Sequence, residues 1–253
     1  MAKTALVTGA TSGIGEATAR ILAKKGYNVV ITGRRVERLG KISDELEEEY
    51  GIKCHALMFD IRDRTHTESM IKALPEHLRH IDLLVNNAGL ASGFEHIDEG
   101  DSLDWDQMID TNVKGLLYIT RPVVRQMIRR GEGGHIINVG STAGTQVYEN
   151  GAVYCASKHA VHAISKGMRI DLLAHGIKVT EIRPGMVKTE FSVVRFHGDY
   201  EKAKKVYTGV EPLSGEDIAD IIGWIVDLPP HVNINEIEVT PTQQADATTV
   251  FRK

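Results

Sequence analysis

Cysteine is almost absent from this chain of 253 residues, occurring only at Cys54 and Cys155. Two thiols give neither a disulfide framework nor a thiolate metal site, and a reducing compartment suits the chain best. Long apolar runs are missing as well. The chain opens Met1-Ala2-Lys3-Thr4-Ala5-Leu6-Val7-Thr8 and turns at once to glycine, so no signal peptide and no membrane association is expected, and cytoplasmic is the default location. Positive charge is not in excess: 30 Lys and Arg against 34 Asp and Glu give a net charge of −4, which removes the electrostatic footprint of a nucleic-acid binder. The 11 histidines show no H-E-x-x-H or comparable spacing. His159 and His162 lie three apart with no obvious carboxylate partner, so packing or exposure accounts for them and no metal is expected. With 42% apolar and 25% charged residues the composition is that of an ordinary globular protein, and disordered or collagen-like readings lose their support.

What is there is glycine, 24 residues of it, set into an alternation of short apolar runs and longer stretches of helical period. Residues 4–8, 28–32, 54–59, 81–85, 135–139, 178–182 and 234–239 read as strands. Residues 16–25, 37–50 and 217–226 read as helices, and 113–127 and 153–173 carry long apolar helical faces. Such alternation needs crossover connections. The expected fold is therefore α/β: a single doubly wound, Rossmann-type domain over residues 1–253, with a mostly parallel seven-stranded sheet and helices on both faces. Residues 190–212 follow Pro184-Gly185, lack a sustained strand pattern and read as a lid over a site.

The first strand runs into Thr8-Gly9-Ala10-Thr11-Ser12-Gly13-Ile14-Gly15 and then a helix. Glycines there let backbone N–H groups approach a pyrophosphate, which rests on the positive end of the helix dipole. The spacing is G-x-x-x-G-x-G and not the G-x-G-x-x-G fingerprint; a glycine-rich turn that only permits close strand–helix packing is the alternative. At the end of the second strand, where a carboxylate would bond the ribose hydroxyls of NAD, stand Gly33-Arg34-Arg35. Two guanidinium groups suit a 2′-phosphate, so NADP(H) is the expected coenzyme. The alternative is that both merely solvate a helix start, although positive charge there opposes the helix dipole.

Tyr154 and Lys158 are four residues apart in a helical stretch and so share a face. A free phenol, with a pKa near 10, is a poor acid–base group at neutral pH; a neighbouring cation stabilises the phenolate. Lys158 can supply that cation, and Tyr154 can then exchange a proton with a substrate oxygen while hydride moves at the nicotinamide. Thirteen residues earlier, an apolar strand ends at Gly140-Ser141, placing Ser141 at a carboxyl end of the sheet, where its hydroxyl can bond a substrate carbonyl. An ordinary turn serine is the other reading.

Together these features resemble the short-chain dehydrogenase/reductase family over nearly the whole chain. The 8–15 loop, Asn86-Asn87-Ala88-Gly89, Asn112, Ser141, Tyr154, Lys158 and Pro184-Gly185 fall in the family's order and approximate spacing. The resemblance implies that Tyr154 is the proton donor or acceptor, that Ser141 orients the carbonyl, and that Lys158 also binds the nicotinamide ribose. It implies that Asn112 holds a relay water and that Gly9, Thr11, Ser12, Gly13, Ile14, Gly15, Arg34 and Arg35 line the coenzyme. Asp60 and Ile61 would lie near adenine, Asn87 near the adjoining ribose, and Pro184, Gly185, Val187 and Thr189 around the nicotinamide, with Ala88 and Gly89 also binding the coenzyme. Segments 32–35, 189–196 and 228–235 are similar to a branch of NADP-dependent 3-hydroxy acid dehydrogenases, which resemble enzymes acting on serine, allo-threonine or malonic semialdehyde. An anionic substrate would need a cation; Arg195 in the lid and Arg183 before Pro184 are the candidates, with an outer-face salt bridge the equal alternative for Arg195.

Cys155 points about 100° away from Tyr154 around the helix and reads as a small buried residue. Trp105 and the acids of 98–106 read as a helix start. The faces of 113–127 and 153–173 read as subunit contacts; the family resemblance implies dimers and tetramers, of which a homotetramer is expected here, with the tail 241–253 docking on a neighbouring subunit. Two competing functions stand beside the hydroxy-acid reading: reduction of another short aldehyde or ketone, including a sulfonated one, and non-catalytic NADP sensing, against which the intact Ser141, Tyr154 and Lys158 argue.

Overall fold

The computed structural model describes residues 2–253. Seven parallel strands form one sheet in the order β3-β2-β1-β4-β5-β6-β7. They are β1 (Thr4–Val7), β2 (Asn28–Gly33), β3 (Cys54–Met58), β4 (Ile81–Asn86), β5 (Gly134–Val139), β6 (Ile177–Pro184) and β7 (Glu236–Val239). The helices are α1 (Gly13–Lys24), α2 (Val36–Tyr50), α3 (Arg64–Lys72), α4 (Ser102–Ile109), α5 (Leu116–Arg130), α6 (Ala152–Asp171), α7 (Phe191–Arg195), α8 (Tyr200–Lys205) and α9 (Gly215–Val226).

The strands read as unbroken apolar runs because both faces of the sheet are covered. Successive residues point to opposite sides. Ala5, Val7, Val29, Ile31, Val85 and Ile137 pack with Leu22, Leu46 and Ile218 in one layer. Leu6, Val30, Leu84, Ile136 and Val179 pack with Ile71, Ile119 and Val123 in the other. Each fully buried Leu, Ile or Val contributes roughly 1.5–3 kcal/mol. The α9 helix starts with a capping box between Ser214 and Asp217 and closes on α1 at Gly215, where a Cβ would stand 2.8 Å from the Gly13 carbonyl carbon.

The structure adds detail to three segments. Residues 190–212 hold two short helices, α7 and α8, tied down by Tyr207, whose hydroxyl donates to the Val187 carbonyl at 3.0 Å and meets Ser192 Oγ at 2.7 Å. Residues 113–127 are one helix only from Leu116 onward, because Asp110–Gly115 is wound as a π-helix. The tail makes contacts with its own chain. Gln244 Oε1 accepts from Met186 N at 2.8 Å, Lys253 N donates to Gly209 O at 3.0 Å, and Ala247 N donates to Gln146 at 2.7 Å. The Asp101 side chain accepts from Leu103 N, so the 98–106 acids do start a helix, and Cys155 is fully buried.

Candidate active site

The strand order reverses between β1 and β4, so the loops leaving those strands diverge and open a crevice at the carboxyl end of the sheet. The crevice is a cleft of about 1010 Å³. Its walls include Gly9, Thr11, Ser12, Gly13, Ile14, Arg34, Arg35, Asp60, Ile61, Asn87, Ala88, Gly89, Ser141, Tyr154, Lys158, Pro184, Gly185, Val187, Thr189 and Arg195. Residues far apart in the chain are thus brought together here. Of the expected site residues, Gly15 and Asn112 are not among the lining.

Gly9 and Gly13 adopt φ of +66° and +53°, which side-chain-bearing residues rarely tolerate. Gly15 lies behind the loop, where a Cβ would collide with the Gly9 carbonyl and with Asn87 Nδ2. Asn87 Nδ2 donates to the carbonyls of Thr8 (2.9 Å) and Gly9 (3.1 Å), fixing the β1 and β4 loops to one another. Ser12 precedes α1 in an extended conformation without capping it. The first N–H groups of a twelve-residue helix are therefore left for a ligand. This cradle fits a diphosphate, and the glycine loop serves close strand–helix packing as well.

Beyond the loop, Arg35 Nη2 donates to Thr11 Oγ1 at 2.6 Å and to Ser12 Oγ at 2.9 Å, and its Nη1 meets Glu190 at 2.6 Å. Arg38 Nη1 meets the other Glu190 oxygen at 2.7 Å, holding that carboxyl below its usual range against the opposing effect of burial. Arg34 is more exposed, 4.0 Å from Asp60. Asp60 is gripped chiefly by Arg62, which lowers its pKa. Arg38 and Glu190 carried no signal in the sequence: one is an ordinary helix arginine, the other a lid acid 152 residues away.

At the opposite end, Tyr154 is 8% and Lys158 6% exposed. Lys158 Nζ donates to the Val139 carbonyl at 2.9 Å and stands 6.0 Å from the Tyr154 ring centre. Burial pulls Lys158 down to about 8, with Glu181 opposing. Burial raises Tyr154, and the groups that oppose it are Arg195 and then the Ser141 hydroxyl. The cation that opposes burial at the phenol is therefore Arg195. Ser141 Oγ accepts from Ala143 N at 3.1 Å, which leaves its O–H to donate into the cleft.

Asn112 is 2% exposed and spends its amide on Leu90 N (2.8 Å), Leu90 O (2.8 Å) and Ser157 Oγ (3.0 Å). Its side chain positions the loop after β4 and does not face the cleft. Arg183 also turns elsewhere, onto Glu236 at 2.8 Å and Glu238 at 3.2 Å, so it is not available to a substrate. Arg195 does reach the site. Its guanidinium carbon lies 4.9 Å from the ring centre of Tyr154, 5.2 Å from Phe191, 5.7 Å from Phe94 and 5.8 Å from Tyr148. Nη2 donates to the Tyr148 hydroxyl at 2.8 Å, while the buried Nε has no partner. The aromatic box was invisible in the sequence, because Phe94, Tyr148 and Phe191 come from three separate segments. His162, for which the sequence shows no obvious carboxylate partner, has one in the fold: Glu181 Oε2 lies 2.6 Å from its Nδ1.

A parallel sheet with a glycine-lined crevice at its switch point, and a buried Ser-Tyr-Lys group in the same crevice, defines a dinucleotide-dependent oxidoreductase. The chain belongs to the short-chain dehydrogenase family, whose model matches residues 3–198. It is 48% identical over 243 residues to the NADP-dependent 3-hydroxy acid dehydrogenase YdfG of Salmonella typhimurium, covering 96% of each chain. It is 43% identical over 245 residues to sulfoacetaldehyde reductase 2 of Chromohalobacter salexigens, covering 97% of this chain and 96% of that one. The closed form of serine dehydrogenase complexed with NADP+ superposes with a TM-score of 0.92 at 45% identity, over 99% of both chains.

Proposed function

We propose that this chain is an NADP(H)-dependent oxidoreductase that interconverts a small 3-hydroxy acid and its semialdehyde or keto partner. The observation that carries the substrate class is Arg195: a guanidinium stacked in an aromatic box directly over Tyr154, with one buried donor unpartnered. A buried unpaired N–H is costly until something accepts from it, and a carboxylate is the acceptor whose planar pair of oxygens matches a guanidinium. Arg35, preordered by Thr11 and Ser12, with Arg34 beside it, supports recognition of a 2′-phosphate.

When bound, NADP(H) supplies or accepts the hydride at its nicotinamide ring. The chain's own residues do the remainder. Arg195 holds the acid group, Ser141 donates to the substrate oxygen, and Tyr154 passes a proton to or from that oxygen. Lys158 stabilises the phenolate and bonds the ribose, while Asn112 positions the neighbouring loop. Reduction of a short sulfonated aldehyde is the second reading, since Arg195 would serve a sulfonate equally and a 43% identical relative bears that name. Among the described residues no helix is long and apolar enough to cross a membrane. We assign the chain to the cytoplasm as a homotetramer acting on a small molecule; exposed Leu117 on α5 and Ile170 on α6, 41% and 76% accessible, support the contact.

The test is a spectrophotometric screen of NADP+ reduction with serine, allo-threonine and 3-hydroxypropionate, beside NADPH oxidation with sulfoacetaldehyde. Tyr154→Phe is expected to lose most turnover, on the order of 100-fold or more, with NADPH affinity retained. Arg195→Met is expected to raise KM for the acid by about 10–100-fold and to lower the ratio of kcat/KM for the acid to that for a neutral alcohol, since any effect through Tyr154 is common to both substrates. A parent enzyme that prefers neutral alcohols to every acid tried would sink the substrate assignment.

A further inference from the structure

Four residues at one register level of adjacent strands, Asn86, Asn138, Glu181 and Glu236, stand on the same face of the sheet. Two of them are plainly structural. Asn86 donates to Thr120 and to Asn138, and Asn138 donates to Ser165 on α6, each at 2.9 Å. Glu181 is different. It is fully buried, its Oε2 is held by His162, and its Oε1 has no hydrogen-bond partner. That free oxygen presses on Gly140, where a Cβ would lie 2.5 Å from it. Gly140 separates Val139, whose carbonyl holds Lys158, from Ser141. The carboxylate thus lies behind the stretch of backbone that carries the lysine's acceptor and the site serine.

A buried carboxylate oxygen without a donor is costly unless a cation lies close by, and a buried ammonium with a single carbonyl partner has the complementary need. Lys158 and His162 are four residues apart on one face of α6; the Glu181 carboxylate meets that face at His162, its free oxygen lies against Gly140 beside the carbonyl that holds Lys158, and its charge opposes the effect of burial on Lys158. The other charged and titratable groups around this point are accounted for. On α6, Tyr154 is in the cleft and Lys166 and Arg169 lie 3.9 and 3.8 Å from Glu236. On β6 and β7, Arg183 is taken by Glu236 and Glu238, with Glu181 3.8 Å away. From the lid, Arg195 bears on Tyr154. The π-helical segment offers Asn112 and β5 offers backbone carbonyls, all neutral. His162, Glu181 and Glu236 bring ligand atoms within 4.8 Å of one another, but Arg183 already supplies the positive charge between the two carboxylates.

We propose that the Glu181–His162 pair is the buried counter-charge of the Lys158 ammonium, a positioning element that keeps the lysine charged beneath Tyr154. The proposal rests on the assignment of Tyr154 and Lys158 as the proton-transfer pair. Its effect lies on the acid limb of alcohol oxidation, where Tyr154 must be deprotonated and the ammonium must stabilise the phenolate.

Glu181→Gln in the full-length enzyme keeps the shape and a hydrogen bond to His162 but removes the charge. The acid limb of kcat/KM for NADP+-linked oxidation is expected to move about one pH unit to the alkaline side, a loss of roughly 10-fold at pH 7. NADPH affinity is expected to stay within about twofold, because no coenzyme contact changes, and Glu181→Asp is expected to restore most of the profile. His162→Ala, at a partly exposed position, is the second variant should the first fail to fold. It is expected to shift the limb in the same direction by loosening the carboxylate. A profile superimposable on the parent's in either variant would overturn the proposal. Tyr154→Phe run alongside separates the layers. Lost turnover there with an unmoved Glu181→Gln profile refutes the counter-charge alone, whereas retained turnover refutes the proton-transfer pair and the proposal with it.

Discussion

At Arg35, three side chains hold a guanidinium where the coenzyme phosphate would have to find it. Thr11 and Ser12 orient the fork, and Glu190 occupies one of its nitrogens while also binding Arg38. A charge-assisted hydrogen bond contributes about 1.5–3 kcal/mol, so Arg35→Ala is expected to weaken NADPH by about 10–100-fold and NADH by little. Glu190→Gln is expected to act in the opposite sense, tightening NADPH, because the carboxylate no longer competes for the arginines. Fluorescence titration of each variant with both coenzymes checks this; equal losses for NADPH and NADH in Arg35→Ala would refute phosphate recognition. Legibility at this scale followed local chemistry. Arg35, Ser141, Tyr154 and Lys158 could be read because strand ends and helix spacing fix where they point. Arg38, Glu190 and Glu181 could not, since their meaning depends on partners from distant segments.

Among the elements, β5 is an interior strand, between β4 and β6, and carries a buried polar residue near its start. His135 is 7% exposed, shares a hydrogen bond of 2.9 Å with Thr180 on β6, and is driven by burial, with Lys178 adding to it, from the usual 6.5 down to about 3. Above pH 6.5 the imidazole is neutral in both folded and unfolded chains. Below it the unfolded chain takes the proton first, so stability falls as pH falls from 6.5 towards 3, by on the order of 5 kcal/mol in all. His135→Gln keeps a bond to Thr180 and removes the titration. Thermal unfolding between pH 7 and 4.5 is expected to show a flatter decline for the variant than for the parent, and parallel curves would refute the assignment. Element existence was legible because apolar runs and helical periods alternate; the ends were less so. The first helix begins at Gly13, ahead of its apolar pattern, because glycine can open a turn on which a phosphate rests. The break at Asp110–Gly115 is a π-turn that leaves the apolar periodicity almost unchanged, and so gave no sign of itself.

Across the whole molecule, the C-terminal tail returns to the cleft that the first loop opens. Gln244 is 6% exposed and ties the tail to the loop after β6: its Oε1 accepts from Met186 N and abuts Gly185, while its Nε2 donates to Asp246 O within the tail. Thr248, Val250 and Arg252 then line the cleft, and Arg252 Nη1 donates to the carbonyls of Val206 (3.0 Å) and Thr208 (2.6 Å) at the end of α8. Composition marked this tail only as polar, because a segment without periodicity reveals its partners only when folded. Gln244→Ala removes one buried hydrogen bond to a backbone N–H and strands that donor, a cost of about 1–3 kcal/mol borne by the tail's docking and not by the sheet. The expected result is a several-fold higher KM for the hydroxy acid, faster proteolytic nicking after Thr240, and a melting temperature within a few degrees of the parent. Because the cradle at Gly9 to Ile14 is untouched, NADPH affinity is expected to hold. A variant whose coenzyme affinity falls while its substrate KM stays constant would show that the tail serves the coenzyme end of the cleft instead.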